Sequence, residues 1–430
     1  MDIRISLGRQ GLRGEGKTFA LPPSKSLMAR EMILKHLLRA LPRYSEAQLC
    51  LLPEDIRYLY TALLQVEHGM GEVCVGESGT AMRLMTAVLA ADAQCPTKLS
   101  GLGRQHQRPI APLVEALRSL GARIDYLERE GYPPLLIYPS ELRSGCVSVD
   151  ASMSSQYISA LMLIAPLLLG SEAYTIDASA QLVSSAPYAT MTLEVMRRYG
   201  VEGEQNGGRF SFSDRALKPS RSVSASPEED WTAASYAYLL VALYPSLDGL
   251  RLEGLAIPSL QGDGHHVPKL FAALGVASDH LSDGGIVLRR TPWGEVEALE
   301  ADCRECPDIV PSLVAASVGQ RRPFRLQGVA HLRLKESDRI EALAQELKAL
   351  GVALEVALDE ISWDGVVDIV DTPSANIWSH GDHRIAMALA PLASSLGFEA
   401  VCVGGAEAVS KSFPAYWQEL EGLGFEVGIL

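Results

Sequence analysis

The segment LPPSKSLMAR, residues 21–30, sets Lys25 and Arg30 at the mouth of an apolar run that continues through Leu38. Pro22 and Pro23 bar a helix before Ser24, so a helix start is expected within Ser24 to Ser26. Its unpaired N–H groups and positive dipole end would face the same anion as Lys25, and Ser26 and Arg30, four apart, share a face. Taken alone, the segment is equally well explained by a serine cap with two surface cations. Three further apolar segments open on groups that can hold anions: Gly79-Thr80 with Arg83, Ser154-Ser155-Gln156, and Asp382-His383-Arg384. More cations sit in short polar contexts at Arg108, Lys335, Arg339 and Lys411. So many cations suit substrates with phosphate and carboxylate groups, which arginine clamps bidentately and lysine meets as a point charge. Asp308 and Glu336 are embedded among them. Neighbouring cations favour the ionised carboxylate, which makes both candidates to accept a hydroxyl proton and relay it. The alternative on chemistry alone is a salt-bridge lattice.

Other motifs carry less. Gly11 to Thr18, GLRGEGKT, matches the P-loop pattern letter for letter. A P-loop needs a helix starting at its Lys-Thr, and here Pro22 and Pro23 follow almost at once, so a Gly-rich turn is expected instead. Cys303 and Cys306 form one CxxC with no second pair to complete a zinc site. His265, His266 and the other histidines show no ligand spacing, and no metal is expected.

Composition sets outer bounds. The chain has 430 residues, 47% of them hydrophobic and 21% charged, enough for two domains with large cores. A formal charge of −14 argues against nucleic acid or an anionic membrane as partner, while leaving room for a local basic pocket. The N-terminus lacks an apolar h-region, and the longest apolar run, Tyr157 to Leu169, is broken by Ser159 and Pro166 and is too short to span a bilayer. Seven scattered cysteines suit a reducing compartment, and a cytoplasmic location is expected.

The elements that must position these groups recur. A small polar cluster before an Ala/Leu-rich segment is anchored at Ser26, Thr80, Ser155, Thr232, Asp308 and His383, at intervals of 54, 75, 77, 76 and 75 residues. An amphipathic helix ending in glycine follows each anchor, at Gly69, Gly121, Gly200, Gly275, Gly351 and Gly424. Ile340, Leu343, Leu347 and Leu350 illustrate its helical spacing, and glycine supplies a left-handed cap. Short β-type runs such as Ala122 to Tyr126 and Val352 to Val356 come next. Six copies of one α/β unit are therefore expected: strand, buried helix, strand, exposed helix, strands. The short first interval suggests that the first copy lacks strands or takes them from elsewhere. A polar stretch from Asp214 to Glu229, with Pro219 and Pro227, divides the six into three plus three.

With these motifs in order, the chain resembles the 5-enolpyruvylshikimate-3-phosphate synthase family, the enolpyruvyl transferases of the shikimate pathway, over nearly its whole length. LPPSKSLMAR is similar to the family's PGSKSxSNR and GESGTAMR to GNAGTAMR. RPI at Arg108, SSQ at Ser154, SxPY at Ser185, SLQGD at Ser259, PD at Pro307, RLKESDR at Arg333, DHR at Asp382 and KSFP at Lys411 follow in the family's order. The resemblance implies two domains, each an inside-out α/β barrel of three βαβαββ units. Domain I would comprise residues 1–21 and 231–430, domain II residues 22–230, with the substrate cleft between them. It further implies transfer of the enolpyruvyl group of phosphoenolpyruvate to the 5-hydroxyl of shikimate 3-phosphate, on the route to chorismate and the aromatic amino acids. A tetrahedral intermediate forms and phosphate leaves, in a monomer without metal or organic cofactor.

Carried over by position, Ser26 and Arg30 would hold the carboxylate of shikimate 3-phosphate and Ser154, Ser155 and Ser185 its phosphate, with Lys25 and Gln156 also in contact with it. Asp308, His331 and Lys335 would address its hydroxyls. Lys25, Gly79, Arg108 and Gln156 would meet the phosphate of phosphoenolpyruvate, and Arg339, Arg384 and Lys411 its carboxylate. Asp308 would be the base for the 5-hydroxyl, and Glu336, with Lys25, would protonate the methylene carbon. Glu77 and His331 each replace a family Asn, and a carboxylate at 77 repels a phosphate unless paired or turned away. Pro23, Met28, Ala29, Ala186 and Gly381 depart from the commonest forms too. The competing readings are the sibling transferase acting on UDP-N-acetylglucosamine, which pairs Lys with Asn where this chain has Lys25-Ser26, a non-catalytic binding paralogue, and a P-loop kinase.

Overall fold

The six glycines expected to end the outer helices all adopt left-handed backbone, with φ from 67° at Gly69 to 110° at Gly121. A side chain is disfavoured there, and the chain turns from helix toward strand. The computed structural model describes residues 1–151, 154–178, 186–217, 228–292, 297–368, 370 and 372–430. Each of the six anchors stands at a helix start. The helices are Lys25–Leu37, Gly79–Asp92, Gln156–Leu163, Trp231–Leu243, Val310–Gly319 and His383–Ser395. Ser24, Ser78, Asp230 and Asp382 cap four of them by accepting from a backbone N–H of the first turn. Apart from Lys25–Leu37, which carries several charged residues, these helices are apolar on nearly every side, which is the pattern of a helix with no solvent face; residues Trp231 through Ala242, for example, are all buried.

The chain separates into two compact units, Met1–Pro23 with Glu228–Leu430, and Ser24–Pro227. In the first, Trp231–Leu243, Val310–Gly319 and His383–Ser395 pack against one another. Three sheets belong to this unit. One runs Leu299–Asp302, Phe324–Gln327, Glu360–Trp363, Glu355–Val356, its first pair parallel and the others antiparallel. In another, the order is Ser374–Trp378, Ala400–Gly404, Ile3–Leu7, Phe425–Ile429, so the N-terminal strand lies antiparallel between two C-terminal ones. The third pairs Arg251–Leu252, Ile286–Arg290 and Val276–His280, with Thr18 bridging Arg251 in parallel.

The second unit repeats this plan with helices Lys25–Leu37, Gly79–Asp92 and Gln156–Leu163 packed together. Its two sheets run Glu72–Cys74, Thr97–Ser100, Leu135–Tyr138, Arg123–Tyr126 and Cys146–Ser148, Tyr174–Asp177, Arg209–Asp214, Glu202–Asn206. Strand residues alternate between buried and exposed, so each sheet keeps one face on the helices. Residues 24–70 form the helices Lys25–Leu37, Glu46–Leu51 and Glu54–Glu67 and no strand, so five sheets serve the six helix pairs. That is the first copy without strands of its own that the short first interval suggested. The P-loop reading fails on the chain path: Lys17 N donates to Gly14 O, Arg251 N to Lys17 O and Phe19 N to Arg251 O, and no helix begins before Lys25.

Two distant segments meet where the first unit's chain is interrupted. Asp230 N donates to Pro22 O at 2.9 Å, and Pro23 and Glu229 form an antiparallel bridge. The Gln261 amide fastens the crossing, donating to Glu229 O at 2.8 Å and accepting from Trp231 N at 3.0 Å. Gly254 leaves the space that the Glu229 side chain fills, since a Cβ there would lie 2.4 Å from Glu229 Cγ. Burial, with the Asp230 charge adding to it, pushes the Glu229 carboxyl up to about 7. A folded acid raised in this way adds stability below its ordinary range and loses it as pH rises through about 7. Glu229→Gln should therefore raise the Tm at pH 8 and leave it nearly unchanged at pH 5, as read by scanning calorimetry at both values.

Candidate active site

Within the first unit, three chain segments carry charge to one guanidinium. Asp308 stands in the turn Pro307–Ile309, Lys335 and Glu336 precede helix Arg339–Ala349, and Asp382 caps His383–Ser395. The Arg339 side chain is 1% exposed. Its Nε donates to Asp382 Oδ2 at 2.9 Å, Nη1 to Asp308 Oδ1 at 3.1 Å and Nη2 to Glu336 Oε2 at 3.0 Å. Asp382 is fully buried and also accepts from Arg384 N at 3.0 Å and Ser337 Oγ at 3.3 Å. Arg384 Nη2 reaches Asp308 Oδ2 at 3.1 Å, and Lys335 Nζ lies 3.6 Å from Asp308 Oδ1. Asp308 thus faces three cations with its two oxygens, a setting that holds a carboxylate charged and oriented.

Electrostatics differ among the neighbours. The protein packed around Lys335 pushes its ammonium below the ordinary range, and Asp308 opposes that shift. Burial, helped by the Lys335 charge, lowers His331 to about 4, so its ring is neutral near pH 7. His331 Nε2 is buried with no hydrogen-bond partner among the described residues, an orphan that suits a hydroxyl. Lys411 Nζ donates to Gly381 O at 3.3 Å, beside the same helix start.

The second unit holds the remaining expected residues. Lys25 Nζ pairs with Asp55 Oδ2 at 2.9 Å. Arg30 is 3% exposed, its Nε on Thr192 Oγ1 at 2.7 Å and its Nη2 on Ser159 Oγ at 3.0 Å. Nη1 of the same side chain donates to Ser26 O at 2.7 Å, so the expected shared face exists through the Ser26 backbone. With no carboxylate among these partners, burial lowers the Arg30 guanidinium to about 10. Arg108 lies over the start of helix Gly79–Asp92: a Cβ at Gly79 would stand 2.3 Å from Arg108 Nη1. That Nη1 is buried without a partner, and it shares the spot with helix N–H groups, which together make an anion cradle. Gln156 Nε2 donates to Thr80 Oγ1 at 3.1 Å, linking two helix starts, while Ser154 Oγ accepts from Gln156 N and Ser155 is buried at the cap. Ser185 lies outside the described residues.

Some expectations need correction. Arg83 turns into the protein, to Gly79 O, Gln105 Oε1 and Pro109 O, and so supports the Arg108 loop rather than presenting a clamp. Asp382 was grouped with anion-holding residues, yet its own carboxylate is what Arg339 holds. Asp55, Thr192 and Ser159 were not singled out. Ser159 had left a signal as the polar break in an apolar run, whereas Asp55 sits unmarked among the charges of helix Glu54–Glu67. Glu77 is exposed, turned so that its Oε1 occupies the space beside Gly103, 2.5 Å from where a Cβ would be. Cys303 and Cys306 are both buried.

A family model described as EPSP synthase (3-phosphoshikimate 1-carboxyvinyltransferase) matches residues 64–420. The chain belongs to the EPSP synthase family. A 3-phosphoshikimate 1-carboxyvinyltransferase of Bacteroides fragilis is 36% identical over 413 residues, 96% of each chain. One of Bordetella avium is 34% identical over 430 residues, covering 94% of this chain and 95% of the other. Among solved structures, an EPSP synthase from Acinetobacter baumannii matches all of both chains at a TM-score of 0.73 and 21% identity. The enolpyruvyl transferase NikO from Streptomyces tendae matches at 0.69 and 13%, over 99% of this chain and 98% of that one. These two likenesses establish the mixed α/β fold.

Within this EPSP synthase family member, the Arg339 cluster also governs stability. Arg339→Met keeps the side chain's length and removes the cation that compensates buried Asp382, Asp308 and Glu336. Loss of one partner from a buried ion cluster costs about 3–5 kcal/mol. Urea unfolding should show an unfolding free energy smaller by that amount, read as a lower midpoint with an unchanged slope.

Proposed function

We infer that the protein transfers the enolpyruvyl group of phosphoenolpyruvate to the 5-hydroxyl of shikimate 3-phosphate and releases phosphate. Family membership supports the reaction, and the single structural observation that carries the residue assignment is Asp308, held between Arg339, Arg384 and Lys335 with Glu336 on the same guanidinium. On this reading each domain is an inside-out barrel of βαβαββ units.

Asp308 accepts the 5-hydroxyl proton as that oxygen bonds to the enol carbon of phosphoenolpyruvate. Glu336, with Lys25, supplies a proton to the methylene carbon, giving a tetrahedral intermediate with a new methyl group. Removing a proton from that methyl and expelling phosphate restores the double bond in the product. The carboxylate of phosphoenolpyruvate would draw Arg384, Arg339 and Lys411 toward itself. Each cation drawn off leaves Asp308 or Glu336 less compensated and so a better proton acceptor, which couples occupancy to reactivity. Lys25, Gly79, Arg108 and Gln156 would meet the phosphate of phosphoenolpyruvate. Ser154, Ser155 and Ser185 would meet the phosphate of shikimate 3-phosphate, Ser26 and Arg30 its carboxylate and His331 and Lys335 its hydroxyls, with Lys25 and Gln156 also in contact with it. We place the protein in the cytoplasm as a monomer.

Purified protein should release phosphate from phosphoenolpyruvate only when shikimate 3-phosphate is present, measured by a coupled phosphate assay. Absence of turnover with both substrates shown to bind would overturn the assignment. Lys25→Ala should cut kcat by about 10²–10⁴ in a protein that still folds, because a cation facing developing charge acts mainly on the transition state, with a lower Tm from leaving Asp55 without its ion pair. A near-normal rate would remove Lys25 from the mechanism.

A further inference from the structure

In the SLQGD motif, residues 259–263, the acidic member Asp263 has no role so far. Gln261 fastens the chain crossing, while Asp263 turns inward at the first turn of helix Asp263–Ala273, 5% exposed. Thr232 Oγ1 donates a short hydrogen bond to Asp263 Oδ2. Thr232 opens helix Trp231–Leu243, and a hydroxyl chain ties that start to the turn of Asp308. Ser235 Oγ donates to Thr232 O at 2.6 Å, and Ser312 Oγ contacts both Ser235 Oγ at 3.0 Å and Ile309 O at 2.8 Å. The groups acting on Asp263 are Thr232 and Asp230 from one helix start, Asp308 from the second and Arg384 from the third. On its own helix, His266 is directed to Glu305, 3.6 Å away.

We propose that Asp263 is a positioning residue for Asp308: a second buried carboxyl, tied through Thr232 and the Ser235–Ser312 hydroxyls to the turn that carries Asp308, whose change of charge sets how strongly Asp308 holds a proton. Burial pushes Asp263 up to about 7, with Asp308 and Asp230 adding to the rise and the Thr232 hydrogen bond and Arg384 opposing it. Below that value Asp263 is neutral, and Asp308 feels only its cations. Above it, the added negative charge raises the proton affinity of Asp308 and draws on Arg384. Asp263 neither contacts substrate nor exchanges a proton with it. Through the Asp308–Arg384 pair it speeds proton abstraction and weakens the hold on the carboxylate of phosphoenolpyruvate, so kcat and KM rise together with pH.

The inference rests on the enolpyruvyl-transfer reading, and two measurements keep the two apart. In steady-state assays from pH 5.5 to 8.5, wild-type kcat should climb by about three- to tenfold through a limb near 7, the size expected for one partly screened charge nearby. Asp263→Asn keeps an acceptor for Thr232 and should flatten kcat at its low-pH level, with KM for phosphoenolpyruvate no longer rising. Thr232→Val removes a donor to the charged form and should move the limb to higher pH. An Asp263→Asn profile that superposes on wild type overturns the proposal. The second measurement needs no turnover: ¹³C NMR of aspartate-labelled protein without substrates should show Asp263 titrating near 7, and Asp308→Asn should lower that midpoint. An unmoved midpoint overturns the coupling even if the assigned reaction fails, and a lowered one supports it.

Discussion

Arg339 is the constraint on which the first unit's chemistry depends. One guanidinium, out of contact with water, is shared by Asp308, Glu336 and Asp382. A buried arginine is tolerable only if its donors are occupied, and three buried or half-buried carboxylates only if a cation compensates them. The planar fork meets both demands because its directions are fixed, so the turn at Asp308, the loop at Glu336 and the cap at Asp382 cannot shift independently. The cap matters as much as the charges. By accepting from the backbone of Arg384, Asp382 converts the start of a buried helix into a fixed reference for the site.

Charge balance explains how such a site can stay responsive. Arg339, Arg384 and Lys335 offset Asp308, Glu336 and Asp382 one for one, so the cluster has no net charge and its members are already spoken for. An anionic ligand cannot simply occupy an empty positive pocket there; it has to compete with the protein's own carboxylates for the same donors. The carboxylates displaced in that competition become the strongest proton acceptors in the neighbourhood. In the Ser24–Pro227 unit the logic is reversed. Arg108 presents a buried donor with no acceptor, and Arg30 is satisfied by hydroxyls and carbonyls rather than anions. At Arg108 an anion meets a donor that has no partner among the described residues, whereas Lys25 is already paired with Asp55.

Helix starts and ends were legible in the sequence because they are local: prolines 22 and 23, the polar anchors and the glycine stops each act within a few residues, and all six glycines have the backbone expected of them. The family motifs likewise named the residues that gather around Asp308. What local pattern could not show is which distant group answers a buried charge. Asp55 opposite Lys25 lies on a separate helix, Thr192 and Ser159 reach Arg30 from two more, and a serine in an apolar run reads the same whether it faces a guanidinium or nothing. The first repeat was legible in part: its interval of 54 residues, against 75 to 77 for the others, recorded the missing strands, which spacing between helices alone does not distinguish from strands supplied elsewhere.

The strand Ile3–Leu7 has a consequence for how the chain is made. It is synthesised long before both of its hydrogen-bonded neighbours, Ala400–Gly404 and Phe425–Ile429. Its unit therefore cannot close this sheet until the ribosome has passed Ile429. Ser24–Pro227 has no such debt to the C-terminus, since both of its sheets draw strands only from within that span. The order of translation thus differs from the order of completion: the inserted unit can mature while the opening strand waits as an unpaired edge, and the longest loop closure in the molecule comes at the end.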